Sequence, residues 1–108
     1  MSDAPVRLAL LGCGGFSANH MQPVIESTGL FQIVTCYDPA AAAAEAAAAR
    51  FGARVCRDVA DAIRADGVET VAVMGPNNVH LEQTLAALAA GRHVFVEKPM
   101  ANTVADAV

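Results

Sequence analysis

Three groups of residues in this chain have types and spacing that could do chemistry. The first is Gly12-Cys13-Gly14-Gly15-Phe16-Ser17, which comes directly after the apolar run Leu8-Ala9-Leu10-Leu11. Glycine at 12 permits a tight turn, and glycine at 14 lets backbone N–H groups approach an anion with no β-carbon in the way. Ser17 stands where a G-x-G-x-x-G/A loop has its third small residue, a departure that keeps room for close helix–strand packing. Strand, loop and helix in this order form a seat for a dinucleotide pyrophosphate. The second group is Asp38, about 20 residues further on, the spacing at which an acidic side chain meets the adenosine ribose. A carboxylate there accepts hydrogen bonds from ribose hydroxyls and repels a 2′-phosphate. No arginine comes directly after it, so NAD is expected as cofactor and NADP is disfavoured. The alternative for Asp38 is a cap on the turn before Pro39. The third group is Glu97-Lys98-Pro99, placed after an apolar strand. A lysine at such a strand end, beside a bound nicotinamide, could hydrogen-bond a substrate hydroxyl, and partial desolvation would bring its pKa towards a value useful for proton transfer. Its alternative is a solvated charged loop.

The composition limits the classes of function. Hydrophobic residues make up 55% of the 108 positions and charged residues 17%, which describes a globular chain. A net charge of -4 argues against non-specific binding to nucleic acid. The apolar runs are too short to span a bilayer, and Met1-Ser2-Asp3-Ala4-Pro5 lacks the basic start and apolar core of a signal peptide. A cytoplasmic protein without a membrane partner is expected. Cys13, Cys36 and Cys56 are odd in number, with no CxxC pair and no histidine at metal spacing, so three reduced thiols and no metal site are expected.

The elements that must position these groups read as alternating strands and helices. Val6–Leu11 is the first strand. The helix after Gly15 meets Pro23, which predicts a short turn through Met21 and a restart with Pro23 in a first-turn position. Met21, Val24, Ile25 and Thr28 would then face the sheet, and Gly29 would close the helix. Phe31–Tyr37 is the second strand, ending at Asp38. The alanine-rich run from Ala40 to Arg50 is a helix capped by Gly52. Ala53–Cys56 is a very short edge strand. Asp58, with Asp61 three residues on, caps a small helix containing Val59 and Ile63. Thr70–Met74 is a buried strand that turns off through Gly75-Pro76-Asn77. The next helix would pack Leu81, Leu85 and Leu88 on the sheet and end at Gly91. His93–Val96 is the last strand, and Thr103 with Asp106 would cap a further helix. Such alternation gives a doubly wound parallel α/β sheet with strand order 3-2-1-4-5, whose ligands lie at the carboxyl ends of the strands.

Taken together, Gly12-x-Gly14-Gly15-Phe16-Ser17, Asp38, Pro76-Asn77-Asn78-Val79-His80 and Val94-Phe95-Val96-Glu97-Lys98-Pro99 resemble the Gfo/Idh/MocA oxidoreductases, the group of glucose–fructose oxidoreductase and inositol 2-dehydrogenase. The resemblance runs across nearly the whole chain and implies an NAD(P)-binding Rossmann domain over residues 1–108. It implies that Lys98 is the catalytic contact to substrate near the nicotinamide. It further implies that Gly75, Pro76, Asn77 and Glu97 line the nicotinamide ribose pocket with His80 nearby, although His80 reads equally well as a helix-surface residue. His20 and His93 are expected to be structural. Members of the family are longer, with a second domain that shapes the substrate site, so the chain reads as truncated before the last strand and that domain. A small-molecule sugar or cyclic polyol substrate is expected, with homo-oligomerisation possible in a full-length protein. The alternatives are a non-catalytic NAD-binding module or sensor subunit and, less compatible with Glu97-Lys98-Pro99, a methyltransferase.

Overall fold

A computed structural model describes residues 5–15, 17–75 and 77–96, with Asn77 described by its backbone alone. Five strands form one sheet, β1 (Val6–Leu11), β2 (Phe31–Tyr37), β3 (Arg54–Val55), β4 (Thr70–Val73) and β5 (His93–Val96). All pair in parallel, in the expected order β3-β2-β1-β4-β5. The helices between them are α1 (Gln22–Thr28), α2 (Ala41–Phe51), α3 (Val59–Arg64) and α4 (Asn77–Ala89). The helix expected at Thr103 and Asp106 lies outside the described residues.

Side chains of β1 alternate between two apolar layers, as a strand covered on both faces must. Leu8 and Leu10 enter the layer with Ile25 of α1 and Ala47 and Ala48 of α2. Ala9 and Leu11 enter the layer with Ala62 and Ile63 of α3 and Ala87 of α4. The chain leaves β1 in one direction through β2 and β3, then returns to β1's other side at β4. The carboxyl ends of β1 and β4 are therefore the switch point of the sheet, where a doubly wound fold opens its crevice.

Three local features depart from expectation. Along β2 the pairing slips, from Leu8↔Ile33 to Ala9↔Thr35, so Val34 is an extra residue. This bulge puts Ile33 and Cys36 in the same layer despite their odd spacing, while Thr35 donates to Ala62 O at 3.0 Å. The break through Met21 and the restart at α1 with proline in its first turn are as expected, but the stretch Ser17–Met21 after the glycine loop is a π turn. The wider turn rotates the start of α1, so Gln22 and Ile25 point inward, whereas Val24 and Thr28 of the expected sheet-facing set are exposed. On α4 the expected sheet-facing set is wrong: Leu81, Leu85 and Leu88 are 72%, 56% and 57% exposed. Gln83 and Ala87 are buried instead, with Val79, Thr84 and Ala90 half-buried on the same stripe. Small side chains let a helix lie close on a sheet, and Ala87 does so at α4.

Leu10 is fully buried near the carboxyl end of β1. Leu10→Ala should cost about 3 kcal/mol and lower the thermal midpoint by about 10–20 °C for a domain of this size, read by circular dichroism on heating.

Candidate functional site

At the switch point the ends of β1 and β4 meet through backbone alone. Gly12 has φ +102°, and a β-carbon there would lie 2.5 Å from Gly75 N and 2.6 Å from the carbonyl carbon of Met74. Backbone atoms cannot yield as a side chain end can, so residue 12 must be glycine for both conformational and steric reasons. The neighbouring hydrogen bonds tie the end of β1 to β2 and the end of β4 to β1: Gly12 N–H donates to Tyr37 O at 2.8 Å and Met74 N–H to Leu11 O at 2.7 Å.

Asp38 is the electrostatic centre of this arrangement. Its Oδ2 accepts from Cys13 N–H at 2.8 Å, and its Oδ1 accepts from Ala40 N–H, also at 2.8 Å. The carboxylate therefore caps the turn before α2 and also grips the glycine loop, a second role that residue type and spacing do not reveal. An ionised carboxylate has about four lone-pair sites, so these two amides leave acceptor capacity on both oxygens.

Gly14 and Gly15 differ from Gly12. Neither has a positive φ; a β-carbon at 14 would meet only Asp38 Oδ2 at 4.0 Å, and one at 15 nothing within 4 Å. The described fold does not itself require glycine at these two positions. Ser17 is 1% exposed and its Oγ accepts from Gln22 Nε2 at 3.2 Å, so the third small position of the loop is a packed, hydrogen-bonded one.

On the β4 side, the half-buried His80 directs Nε2 onto Gly75 O, which ties the ring to the strand end. Beside it Gln83 is 8% exposed, and its Oε1 has no hydrogen-bond partner among the described residues. Phe16, Pro76, Glu97 and Lys98 lie outside the described residues, as does the side chain of Asn77. Gln22, Arg50 and Gln83 are buried or bonded polar groups that sequence reasoning missed; polar residues at inward helical positions were their only signal. His20 and His93 are exposed, in the π turn and at the start of β5.

The three thiols are buried and free. A hydrogen bond with Cys36, then burial, then the nearby charges of Cys36 and Asp38 hold the Cys13 thiol far above the ordinary thiol range, and the same hydrogen bond lowers that of Cys36. Burial raises that of Cys56, with Arg54 opposing it. Among the described residues no group of three or more His, Cys, Asp or Glu could hold a metal ion, and no helix is long and apolar enough to cross a membrane. A groove of about 830 Å³ opens at the far edge by β3, between Arg54, Arg57, Arg64, Asp61 and Asp66; none of the expected site residues lines it.

Residues 6–108 match the model of the Gfo/Idh/MocA oxidoreductase family with its NAD-binding Rossmann fold. An inositol 2-dehydrogenase of Rhodococcus erythropolis is 39% identical over 98% of this chain and 31% of its own length. A 4-carboxy-2-hydroxymuconate-6-semialdehyde dehydrogenase of a Sphingobium species is 36% identical over 94% of this chain and 32% of its own. Among solved structures, a 3-ketoreductase from Actinomadura kijaniata in complex with NADP superposes with a TM-score of 0.81 at 28% identity, over 89% of this chain and 30% of that one. The WlbA dehydrogenase of Bordetella pertussis, in complex with NADH and UDP-GlcNAcA, gives 0.77 at 31% identity, over 95% of this chain and 31% of that one. The chain thus spans about a third of the length of these relatives.

Gly12→Ala should destabilise the fold by at least about 2 kcal/mol, because it adds a disfavoured backbone conformation to a collision with Gly75; urea unfolding reads the difference. The thiols should react with Ellman's reagent only after denaturation.

Proposed function

Since the chain belongs to the Gfo/Idh/MocA oxidoreductases and carries their NAD(P)-binding Rossmann domain, we propose that Gly12–Ser17 cradles the cofactor pyrophosphate and that Asp38 selects NAD. The domain then serves a dehydrogenase acting on a CH–OH group of a sugar or cyclic polyol. The observation that carries this reading is the Asp38 carboxylate, held on Cys13 N–H of the loop. One rigid unit then offers backbone amides to a pyrophosphate and a carboxylate to the adjoining ribose. Gly14 and Gly15 support it too, since no contact within the described fold demands glycine there. An approaching phosphate would, because a side chain at 14 stands between it and the amides.

Bound NAD supplies a hydride acceptor for oxidation of the substrate carbinol. The chain's own part is to bind and orient. Asp38 accepts from the ribose hydroxyls with its remaining lone pairs and repels a 2′-phosphate. The Gly75-Pro76-Asn77 turn, held at Gly75 O by His80, lines the nicotinamide ribose together with Glu97. Lys98 orients the substrate hydroxyl by hydrogen bonding. The sugar or polyol class rests on the relatives' names, inositol 2-dehydrogenase and a dehydrogenase complexed with UDP-GlcNAcA.

Fluorescence titration of the chain with NADH and NADPH tests the reading. NADH should bind about tenfold more tightly, a difference of about 1.4 kcal/mol. Equal or tighter binding of NADPH would remove the role given to Asp38, and binding of S-adenosylmethionine in place of either would remove the dinucleotide reading altogether.

A further inference from the structure

Pro23 leaves a carbonyl without its helical partner. With α-helical spacing, residue 23 would donate to Asn19 O; with the spacing of the π turn it would donate to Ala18 O. Proline has no N–H and serves neither. The structure fills the gap from another helix: Arg50, in the last turn of α2, donates through Nη1 to Ala18 O at 3.1 Å. The same Nη1 reaches Gln22 Oε1 at 3.3 Å, and Nη2 reaches Glu26 Oε1 at 2.6 Å. Gln22, 2% exposed, passes the connection on by donating Nε2 to Ser17 Oγ at 3.2 Å. A guanidinium in α2 is thereby wired to the last residue of the glycine loop.

The contacts are unequal in weight. Arg50 and Glu26 are 32% and 42% exposed, and ion pairs so open to solvent contribute about 0–1 kcal/mol. The hydrogen bond to Arg50 lowers the Glu26 carboxyl below its ordinary range, but both groups remain at the surface. The contacts whose direction matters are those to Ala18 O and to the part-buried Gln22 carboxamide. They need a planar fork with several donors in fixed directions, which arginine has and a lysine ammonium lacks.

We infer that Arg50 is a positioning residue for the dinucleotide loop, holding the π turn through Ala18 O and Gln22 so that the loop amides present themselves to the pyrophosphate. The inference rests on the NAD(P)-binding reading above. Arg50 touches no ligand in it; the guanidinium acts through Gln22 and Ser17.

The test compares Arg50→Lys, Arg50→Met and Glu26→Gln with the unaltered chain in two measurements. One is the NADH dissociation constant; the other is amide hydrogen exchange at residues 17–22 without ligand. Both Arg50 variants should bind NADH about tenfold more weakly, the loss expected from one charge-assisted hydrogen bond, and should exchange faster across the π turn. Glu26→Gln should stay within about twofold of the unaltered chain, since it retains the contacts of Arg50 to Ala18 O and Gln22 Oε1. A purely structural ion pair predicts the reverse order, with Arg50→Lys harmless and Glu26→Gln damaging; that order would overturn the inference, as would NADH binding unchanged in all three variants. If the unaltered chain binds no NADH, the proposed function fails, and exchange at residues 17–22 still decides whether Arg50 sets the turn.

Discussion

The ends of β1 and β4 come together so closely that a β-carbon at residue 12 would sit 2.5 Å from the backbone nitrogen of Gly75. A parallel sheet brings neighbouring strands to hydrogen-bonding distance along their length, but at the switch point the chain must also turn out of the sheet on both. Only glycine lets β1 turn there without pushing β4 away. The Gly12 N–H is then free to bond Tyr37 O, and Met74 N–H bonds Leu11 O, so three strand ends are fixed relative to one another. Whatever stands on those ends inherits that fixed spacing. This includes Asp38 at the end of β2, the loop amides after β1, and the turn after β4.

The bulge in β2 extends this constraint to side chains. Period-two alternation without it would send Cys36 to the α3 face. Val34 is the extra residue, so Cys36 joins Cys13, Leu10 and the alanines of α2. Tyr37 then faces the other layer, and its carbonyl takes both Gly12 N–H and, at 3.5 Å, the Cys13 thiol. With strand end and loop joined in this way, Asp38 reaches Cys13 N–H and its own turn at Ala40 at once. A charge-assisted hydrogen bond of this kind is worth about 1.5–3 kcal/mol, comparable with the conformational cost of ordering one or two loop residues. Cys13, at the start of the loop, is therefore held on the end of β2 by the protein's own hydrogen bonds.

Some of this was legible from residue types and spacing, for identifiable reasons. Apolar runs bounded by glycine and proline located all five strands, and their alternation with helices was enough for the sheet order. Gly12 at the tight turn and Asp38 as the cap before α2 were legible from backbone freedom and a carboxylate at a strand end, while the grip of Asp38 on Cys13 N–H was not. The departures were set by tertiary geometry. Leu81, Leu85 and Leu88 share a helical face as well as any core triplet, but the close fit of α4 on the sheet went to Gln83 and Ala87. The proline at 23 signalled a break in the helix, yet the π turn that answers it is bonded at Ala18 O by Arg50, which is remote in sequence. The slip at Val34 leaves no mark on a β-branched and apolar stretch, because every residue of it suits either face.

The two halves of the site differ in how completely the described residues satisfy themselves. On the β1 side the groups are paired: Gly12 and Cys13 donate, Asp38 accepts twice, Ser17 is bonded to Gln22, and Arg50 completes Ala18. On the β4 side His80 secures Gly75 O, while Gln83 Oε1 is buried nearby with no hydrogen-bond partner among the described residues. Leaving such an acceptor unpaired costs about 1–3 kcal/mol, and a carboxamide is a poor choice at that position if packing alone decided it. A Cβ at Gly75 would come within 3.9 Å of this oxygen. The β1 half is thus fixed by its own hydrogen bonds, whereas on the β4 side the described residues leave Gln83 Oε1 without a partner, so the two halves of the crevice differ in how far those residues alone set their geometry.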